Sequence, residues 1–545
     1  MAAWRAGDLG AAQARFAAAL SAGPAGPALL ADAGAFATAQ GDHAQAAALY
    51  DRAIAAAPQP QPPLRLRWAL ALFAADRLLA AAATLAALVR DVPQSPSAWQ
   101  ALGAVRLKLG EAEEADRAFA QVLRLKPGDP LALLSRGQVA AERGRPAVAP
   151  FRTALAADPG SPAARLGLAA ALAAVGHAVE ATAVIRARLA DESNWIEGWR
   201  ALASVEQRAH GPEALAATTR AMFDADPRDP GLMLAAIQLR ARAGDHAAAL
   251  AWAEQARDRA EDSPPLRLAR AEALDELGER ARAGVLLDEL APLREPVVDL
   301  ARVRHFLRGG RAPDRAAQVA RAMLDGPGRA VAWPYLSTAW RLLGDPRHDW
   351  LERDARMVSS HDLGLSVTEL GELAAVLRDL HATRHAPLEQ SLRGGTQTEG
   401  GLLLRDEPAL RRLRSALTAA VHAHTAALPP PDPRHPVLGG PRAGFRFAGS
   451  WSVRLFSGGA HVNHVHSEGW LSSACHVALP PLAAGEGGLT LGEPPHELST
   501  GLQPWRVVAP VAGRVVLFPS ITWHGTQPFT AGERLTVAFD VQPLR

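Results

Sequence analysis

Residues 450–480 read SWSVRLFSGGAHVNHVHSEGWLSSACHVALP, and residues 512–541 read AGRVVLFPSITWHGTQPFTAGERLTVAFDV. In both stretches apolar and β-branched residues alternate with polar ones, and glycine and proline interrupt them, which is typical of β-strands. Only 18 of the 545 residues are histidine, yet His461, His464 and His466 fall within six positions. Successive side chains of a strand point to opposite faces, so we expect His464 and His466 to share a face that His461 does not.

The second stretch adds a third histidine and an arginine. His524 lies 60 positions after His464, and Arg534 and Thr536 follow as an i, i+2 pair. A histidine pair, a distant histidine and open coordination positions are the arrangement that binds a mononuclear non-haem iron on a small β-barrel, where one ligand is usually a carboxylate. A guanidinium can clamp a carboxylate with two hydrogen bonds, and a threonine hydroxyl adds another donor. The pattern therefore indicates a metal site of His464, His466 and His524 and a dicarboxylate site of Arg534 and Thr536.

These residues resemble the signature of the 2-oxoglutarate- and iron(II)-dependent oxygenases, which is H-x-D/E, a distant H and then R-x-S/T. A bacterial branch of these oxygenases carries H-x-H instead, and the resemblance to that branch covers residues 387–541. The matching positions are Trp451, Gly459, His464, His466, Ser472 and Pro480, with the upstream segment QSLRGGTQT at residues 390–398. The resemblance implies a double-stranded β-helix, or jelly-roll, domain with flanking helices. It also implies an iron cofactor, Fe(2+), with 2-oxoglutarate as cosubstrate and O2, and no catalytic side chain beyond the metal ligands.

One position departs from the usual signature, because His466 stands where most of these oxygenases carry Asp. The metal is then held either by three histidines or, with the register shifted by two residues, by His466, Glu468 and His524. Residues 464, 466 and 468 would all face the same side of a continuing strand. We favour the three-histidine set, because the positions of Ser472 and Pro480 match the H-x-H branch.

The first two-thirds of the chain repeat with a period of 32 to 35 residues. A glycine marks the turn in most of these repeats, and Asp76 stands at one turn where a glycine is missing. The glycines that mark the other turns are Gly7, Gly41, Gly110, Gly144, Gly176, Gly211, Gly244, Gly278, Gly310 and Gly344. Alanine-rich helical sequence on both sides of each turn resembles the tetratricopeptide repeat. The clearest copy carries Trp99, Leu102, Gly103, Ala115, Phe119 and Pro127 at the marked positions.

The sequence therefore predicts a multidomain protein, an all-α tetratricopeptide-repeat superhelix followed by a jelly roll. We place the solenoid at residues 1–355, a helical connector at 356–386 and the oxygenase-like domain at 387–545. Helices are expected over residues 367–383 and 408–428, where apolar residues recur at helical spacing. We expect His422, His424 and His435 to be structural, and His461 to face the substrate or to support the ligands. The orientation of His476 is left open.

The composition bears on the binding partners and the cellular compartment of the protein. Lys and Arg number 58 against 56 Asp and Glu, so charge gives no reason to expect a nucleic-acid or membrane partner. The single cysteine, Cys475, excludes an internal disulfide framework and agrees with a reducing compartment. No signal-peptide pattern opens the sequence. We therefore predict a cytoplasmic location.

Taken together, the resemblances imply a dioxygenase that hydroxylates a side chain of a protein or peptide recruited by the repeats. Two alternatives remain open. The chain could be a repeat-based adaptor with an inactive barrel, or a cupin-like three-histidine metalloenzyme that does not use 2-oxoglutarate. The Arg534 and Thr536 pair is the feature that separates the last alternative from an oxygenase.

Overall fold

The computed structural model describes residues 4, 7–59, 61–259, 262–381, 391–398 and 400–544. The chain forms two compact units. The first comprises Met1–Ser161, Pro441–Arg446 and Pro543–Arg545, and the second comprises Pro162–Gly440 and Phe447–Gln542. No helix among the described residues is long and apolar enough to cross a membrane.

The first unit consists of helices that pack against their neighbours in sequence. Its helices are α1 Leu9–Ser21, α2 Pro27–Ala39, α3 His43–Ala56, α4 Pro62–Ala74, α5 Leu78–Asp91, α6 Pro96–Lys108, α7 Ala112–Leu125, α8 Pro130–Glu142 and α9 Val148–Ala157. Several begin with proline at the first helical position, where the missing N–H costs no hydrogen bond. Proline at these positions fixes where each helix starts.

Glycine sets the close approach within helix pairs. A Cβ atom at Gly103 in α6 would lie 2.4 Å from Cε1 of Phe119 in α7. Gly34 stands in the same relation to Tyr50, as does Gly137 to Phe151, at 2.9 Å. A side chain at any of these glycines would displace a buried ring. The repeat pattern therefore places a small residue on one helix opposite an aromatic residue on the next.

The turns lie at the predicted spacing. All ten of the glycines predicted to mark them have φ between 64° and 86°, and Asp76 has φ of 58°. This left-handed conformation ends a helix at little cost in glycine, whereas most other residues resist it. The prediction that Asp76 replaces a glycine turn is confirmed.

The second unit contains further helices and most of the described strand residues. Its helices are α10 Pro162–Ala174, α11 Ala178–Leu189, α12 Ile196–His210, α13 Pro212–Ala225, α14 Pro230–Arg242, α15 His246–Arg259, α16 Pro264–Glu276, α17 Arg280–Leu290, α18 Pro296–Leu307, α19 Pro313–Ala322, α20 Arg329–Leu343, α21 Val367–Leu380 and α22 Pro408–Ala427. The strands are β1 Ser359–Asp362, β2 Leu392–Gln397, β3 Phe445–His461, β4 Leu471–Ala478, β5 Leu489–Leu491, β6 Arg506–Val508, β7 Arg514–Pro519, β8 His524–Thr526 and β9 Glu533–Pro543.

The strands form two sheets. The larger has the order β1-β7-β4-β9-β3-β2, and the smaller has the order β6-β5-β8. The residues that join the two sheets in one apolar cluster are Val358, Leu489, Leu491, Val516 and Phe518, all at most 3% exposed. The predicted fold class, a helical repeat array followed by an antiparallel sheet domain, is confirmed.

The connector predicted at residues 356–386 contributes to the sheet. Strand β1 pairs antiparallel with β7, with Ser359 opposite Leu517. The short sequence SSHD shows no alternation that would identify a strand, because its pairing is supplied by β7, far along the chain. Helix α21 was predicted from residue 367 and begins there, with a capping box between Ser366 and Glu369. The predicted domain boundary at 386 and 387 lies outside the described residues.

The last repeat helices contact the sheet domain through buried polar groups. Arg308 donates from Nη1 to the Glu497 carbonyl oxygen at 2.8 Å. Its Nε also lies 2.6 Å from Oδ2 of Asp275, and both side chains are 6% exposed. The indole N–H of Trp523 donates to Thr338 Oγ1 in α20 at 3.0 Å. The sheet domain is therefore joined to the repeat helices of this unit by hydrogen bonds that are buried or partly buried.

We expect Arg308→Ala to lower the free energy of unfolding by about 3–5 kcal/mol, because it leaves the buried Asp275 carboxylate without its guanidinium. Urea titration measures this change. The matched control is Arg282→Ala, which removes an exposed pair with Glu279 and should leave stability unchanged. Equal stability of the two variants would show that the buried pair does not hold this interface.

His424 makes the stability of the second unit depend on pH. It is 0% exposed, its Nδ1 lies 2.5 Å from Ser359 Oγ, and its Nε2 has no partner among the described residues. Burial, with a smaller contribution from His361, lowers the pKa of His424 to about 4. In the unfolded chain the imidazole of His424 has its ordinary pKa near 6.5. Between about pH 4 and pH 6.5 it is therefore protonated in the unfolded chain and neutral in the folded chain. This histidine therefore destabilises the fold as pH falls below about 6.5.

We expect the wild type to lose roughly 2 kcal/mol more stability between pH 7.5 and pH 5 than His424→Gln, which cannot take up that proton. The measurement is the free energy of unfolding at both pH values. The glutamine variant will differ from wild type at pH 7.5 as well, so only the difference between the two pH values is diagnostic. The same pH dependence in both proteins would contradict the assignment.

Candidate metal and carboxylate site

The three predicted histidines converge. One nitrogen from each of His464, His466 and His524 lies within 4.8 Å of the others. The ring centroids are 4.3 Å apart for His464 and His524 and 5.0 Å apart for His464 and His466. This spacing suits a single ion bound by three imidazoles.

The backbone brings these residues together in a different way from the expected strand. Strand β3 ends at His461, and His464 follows in an irregular segment. His464 forms an isolated bridge with His524, the first residue of β8, and each backbone N–H donates to the other's carbonyl at 2.9 Å. The expectation that His464 and His466 sit on one continuous strand is wrong, because β3 ends at His461 and His464 pairs with His524 only as an isolated bridge.

Hydrogen bonds fix the tautomer of all three rings. The Nδ1 atom of His464 lies 2.8 Å from the Val462 carbonyl oxygen, and that of His524 lies 3.0 Å from the Thr522 carbonyl oxygen. Carbonyl oxygens only accept, so each Nδ1 carries the proton. The Nδ1 of His466 lies 2.7 Å from both oxygens of Asp540 and donates to that carboxylate. Each Nε2 is therefore unprotonated and carries a lone pair.

Burial keeps two of these rings neutral. It lowers the pKa of His464 to about 4, with a further contribution from His466, and it lowers the pKa of His524 well below its usual value. Metal ligands must be unprotonated imidazoles, and a carboxylate behind a ligating histidine is the common supporting arrangement. The donor set thus fits a divalent metal ion.

Asp540 was not recognised from the sequence. It lies on β9 opposite Ser472 on β4, and the Ser472 hydroxyl donates to its carboxylate at 2.7 Å. A lone aspartate in the apolar run of β9, on the same alternation as Arg534 and Thr536, was the available signal. Its partner His466 lies 74 positions away, and that pairing becomes visible only in the folded chain.

Glu468 is not brought to the cluster. It is exposed and lies in a turn after His466, so the three residues at 464, 466 and 468 do not share a strand face. The group of potential ligands among the described residues contains His464 and leaves out Glu468. The geometry favours the three-histidine alternative.

Ser391 connects a neighbouring strand to this cluster. Its hydroxyl lies 3.0 Å from Nδ1 of His461 and 3.3 Å from Nε2 of His464. The His461 ring stacks on that of His464 with centroids 6.0 Å apart, so it does not point away as the strand alternation suggested. Ser391 belongs to the upstream segment 390–398, of which the structure describes residues 391–398. No role for Ser391 was predicted from the sequence.

Arg534 and Thr536 lie on β9, and both side chains are buried. Arg534 is 2% exposed, and its Nη1 donates to the Gly487 carbonyl oxygen at 2.8 Å. Among the described residues its Nε has no partner, and no carboxylate forms an ion pair with it. Desolvation lowers the pKa of Arg534 to about 10, which leaves it charged.

One pocket of about 1000 Å³ joins these features. The three histidines, Arg534 and Thr536 line it from the sheet domain. The side chains that line it from the repeat helices are Gln207, Leu215, Arg242, His246, Glu276 and Arg304. His246, the first residue of α15, is thus part of this pocket.

A helical repeat array whose helices share a pocket with a three-histidine cluster and a buried arginine defines the class: a repeat protein with a candidate metal-dependent sheet domain. Residues 449–540 match the family model described as "Putative 2OG-Fe(II) oxygenase". Two tetratricopeptide-repeat models match residues 1–59 and 101–162, and residues 37–105 and 138–205. The chain thus combines tetratricopeptide repeats in its N-terminal region with a domain of this oxygenase family.

Solved structures similar to the chain include two tetratricopeptide-repeat proteins. One, from Parabacteroides merdae, is 16% identical with a TM-score of 0.31, covering 49% of this chain and 92% of that one. The other, from Thermus thermophilus, is 23% identical with a TM-score of 0.29, covering 33% of this chain and 98% of that one. No curated protein matches the chain.

We expect His464→Ala, His466→Ala and His524→Ala each to abolish binding of one iron(II), since each removes one of three ligands. Glu468→Ala is the matched control and should bind iron as the wild type does. Anaerobic titration with iron(II) makes the comparison. Loss of binding in Glu468→Ala with retention in His464→Ala would move the site to the carboxylate register.

Proposed function

We propose that this protein is an iron(II)- and 2-oxoglutarate-dependent dioxygenase that hydroxylates a side chain of a protein or peptide bound by its repeats. The oxygenase-family match at residues 449–540 supports the general class. The cosubstrate, the metal and the kind of substrate are inferred from the chemistry of the pocket.

The observation that carries the proposal is the unpaired charge of Arg534. Burying a guanidinium without a counter-ion is costly, so such a group is usually matched by an anion. No acidic side chain among the described residues is paired with Arg534, and a ligand carboxylate is the anion that we infer for it. The guanidinium opens onto the same pocket as the three histidines. A dicarboxylate with one end at the histidines and the other at Arg534 meets both requirements.

His464, His466 and His524 would hold the iron through their Nε2 atoms. When bound, iron(II) with 2-oxoglutarate and O2 supplies the oxidative decarboxylation that is coupled to hydroxylation of a C–H bond. Asp540 keeps the proton on Nδ1 of His466 and fixes the ring orientation. Arg534 and Thr536 orient the distal carboxylate. His524, Arg534 and Thr536 are buried, so this part of the pocket is shielded from water.

The repeats support the part of the proposal that concerns the kind of substrate. Tetratricopeptide arrays commonly receive an extended peptide or a partner helix. Here helices α12 to α16 and α18 contribute side chains to the pocket that contains the histidines. A polypeptide bound along these helices would present a side chain directly to the metal site, and no further segment would be needed to position it.

The direct test is formation of succinate from 2-oxoglutarate by the full chain with iron(II) and ascorbate. Turnover supports the proposal. Iron binding without any binding of 2-oxoglutarate would instead indicate a cupin-like metalloenzyme. Binding of neither would indicate an adaptor with an inactive barrel.

Arg534→Ala should weaken 2-oxoglutarate binding by roughly 30-fold or more, because removing one partner of a desolvated charge pair costs about 2–5 kcal/mol. Iron affinity should change far less, since Arg534 does not contact the three ligating nitrogens. Calorimetry of both ligands measures these effects. Arg514→Ala, which removes a half-exposed arginine of β7, is the matched control. Unchanged cosubstrate affinity in Arg534→Ala would refute the dicarboxylate site.

A further inference from the structure

We propose that Ser391, anchored by His461, is a positioning residue that stands in for the metal ion at His464. Its hydroxyl occupies the lone pair of His464 Nε2 while no metal is bound, and an incoming metal ion has to displace it. Ser391 thereby keeps the His464 ring in its ligating orientation and lowers the affinity of the cluster for metal. This inference rests on the metal part of the proposed function and does not involve the cosubstrate.

The direction of the hydrogen bond follows from the tautomer of His464. Its Nδ1 donates to the Val462 carbonyl oxygen at 2.8 Å, so the neutral ring has only the lone pair of Nε2 to offer. Ser391 Oγ lies 3.3 Å from this Nε2. An unprotonated ring nitrogen can only accept, so the Ser391 hydroxyl is the donor. Because one lone pair serves one partner, the hydroxyl and a metal ion exclude each other at Nε2.

His461 supports the hydroxyl from its other side. The Nδ1 atom of His461 lies 3.0 Å from Ser391 Oγ. The hydroxyl proton already points to His464, so Ser391 accepts this second bond and His461 Nδ1 carries the proton. The hydrogen bonds therefore run in one direction, from His461 through Ser391 to His464. His461 holds the hydroxyl oxygen in place and leaves its proton for the metal ligand.

The main chain fixes the position of this pair. The Val462 N–H donates to the Ser391 carbonyl oxygen at 2.9 Å. Leu392, the next residue, lies opposite His461 in the pairing of β2 with β3. The His461 N–H donates to Thr526 Oγ1 at 2.9 Å. Strand pairing therefore places the hydroxyl at the cluster, and both side chains line the same pocket as the three ligands.

The contact singles out one of the three ligands. In the part of the chain that the structure describes, no side chain donates to Nε2 of His466 or His524, whereas Ser391 donates to that of His464. His466 lies in the same irregular segment as His464, but the Asp540 carboxylate holds its ring. A main-chain carbonyl takes that place at His464. Ser391 supplies the second hydrogen bond that fixes this ring until a metal ion binds.

The test measures Mn(2+) binding to the full chain by calorimetry, without any 2-oxo acid. Ser391→Ala should bind Mn(2+) about 3-fold to 10-fold more tightly than the wild type, because only the metal-free protein loses a hydrogen bond. Ser391→Thr keeps a hydroxyl and should bind Mn(2+) as the wild type does. The matched control is Ser359→Ala, which removes a hydroxyl that contacts His424 and does not line the pocket. Its affinity for Mn(2+) should be unchanged.

Stability provides a second measurement, which a general loosening of the fold would not reproduce. In EDTA, Ser391→Ala should unfold at lower urea than the wild type, since His464 Nε2 has lost its donor. Saturating Mn(2+) should narrow this difference by the free energy that corresponds to the ratio of the two affinities, because the metal then occupies the lone pair in both proteins. Ser359→Ala should instead show the same loss of stability with and without Mn(2+).

The outcomes separate this inference from the proposed function. Unchanged or weaker Mn(2+) binding by Ser391→Ala would overturn the inference, and metal binding by the wild type would still support the proposed function. Tighter binding by Ser359→Ala as well would also overturn the inference, because the gain would then not come from the His464 lone pair. If the wild type binds no Mn(2+) or iron(II), the metal part of the proposed function fails, and the inference fails with it.

Discussion

The candidate site depends on a pair of backbone hydrogen bonds between His464 and His524. These residues lie 60 positions apart, and each accepts from the other's N–H at 2.9 Å. The bridge aligns the segment after β3 with the start of β8 and so sets the distance between two of the three imidazoles. Because the bonds are formed by the main chain, this alignment does not depend on which side chains occupy the two positions. The side chains then add the hydrogen bonds that fix each ring.

Two parts of the fold line the pocket. Repeat helices contribute one wall, and the sheet domain contributes the histidines and Arg534. Arg308, Arg341 and Trp523 hold these elements together through hydrogen bonds from side chains to main chain across the contact. A molecule that reaches the histidines therefore contacts helical side chains and sheet side chains at once. In the proposed function, recognition by the repeats and positioning for chemistry occur in a single binding event.

Local patterns made much of this structure predictable. The turn at Asp76 followed from the rhythm of neighbouring glycines, and the convergence of the three histidines followed from their spacing and from the resemblance to known oxygenases. What escaped prediction depends on long-range pairing. Strand β1 is recognisable only from its partner β7, and Asp540 only from its bond to His466. The lack of hydrogen-bond partners for both ring nitrogens of His476 among the described residues likewise depends on what surrounds that ring in the folded chain.

The glycine and aromatic pairs also bear on how the chain folds. Gly103 meets Phe119, and Gly34 meets Tyr50, each within 16 positions, so these contacts close short loops. The sheet instead requires β1, which ends at Asp362, to find β7, which begins at Arg514. Contacts between sequence neighbours form fast, whereas distant strand pairings form slowly. Since synthesis also proceeds from the N-terminus, the helices that carry Arg308 and Arg341 can be in place before their partner strands are complete. The repeats would then act as a template on which the sheet domain assembles.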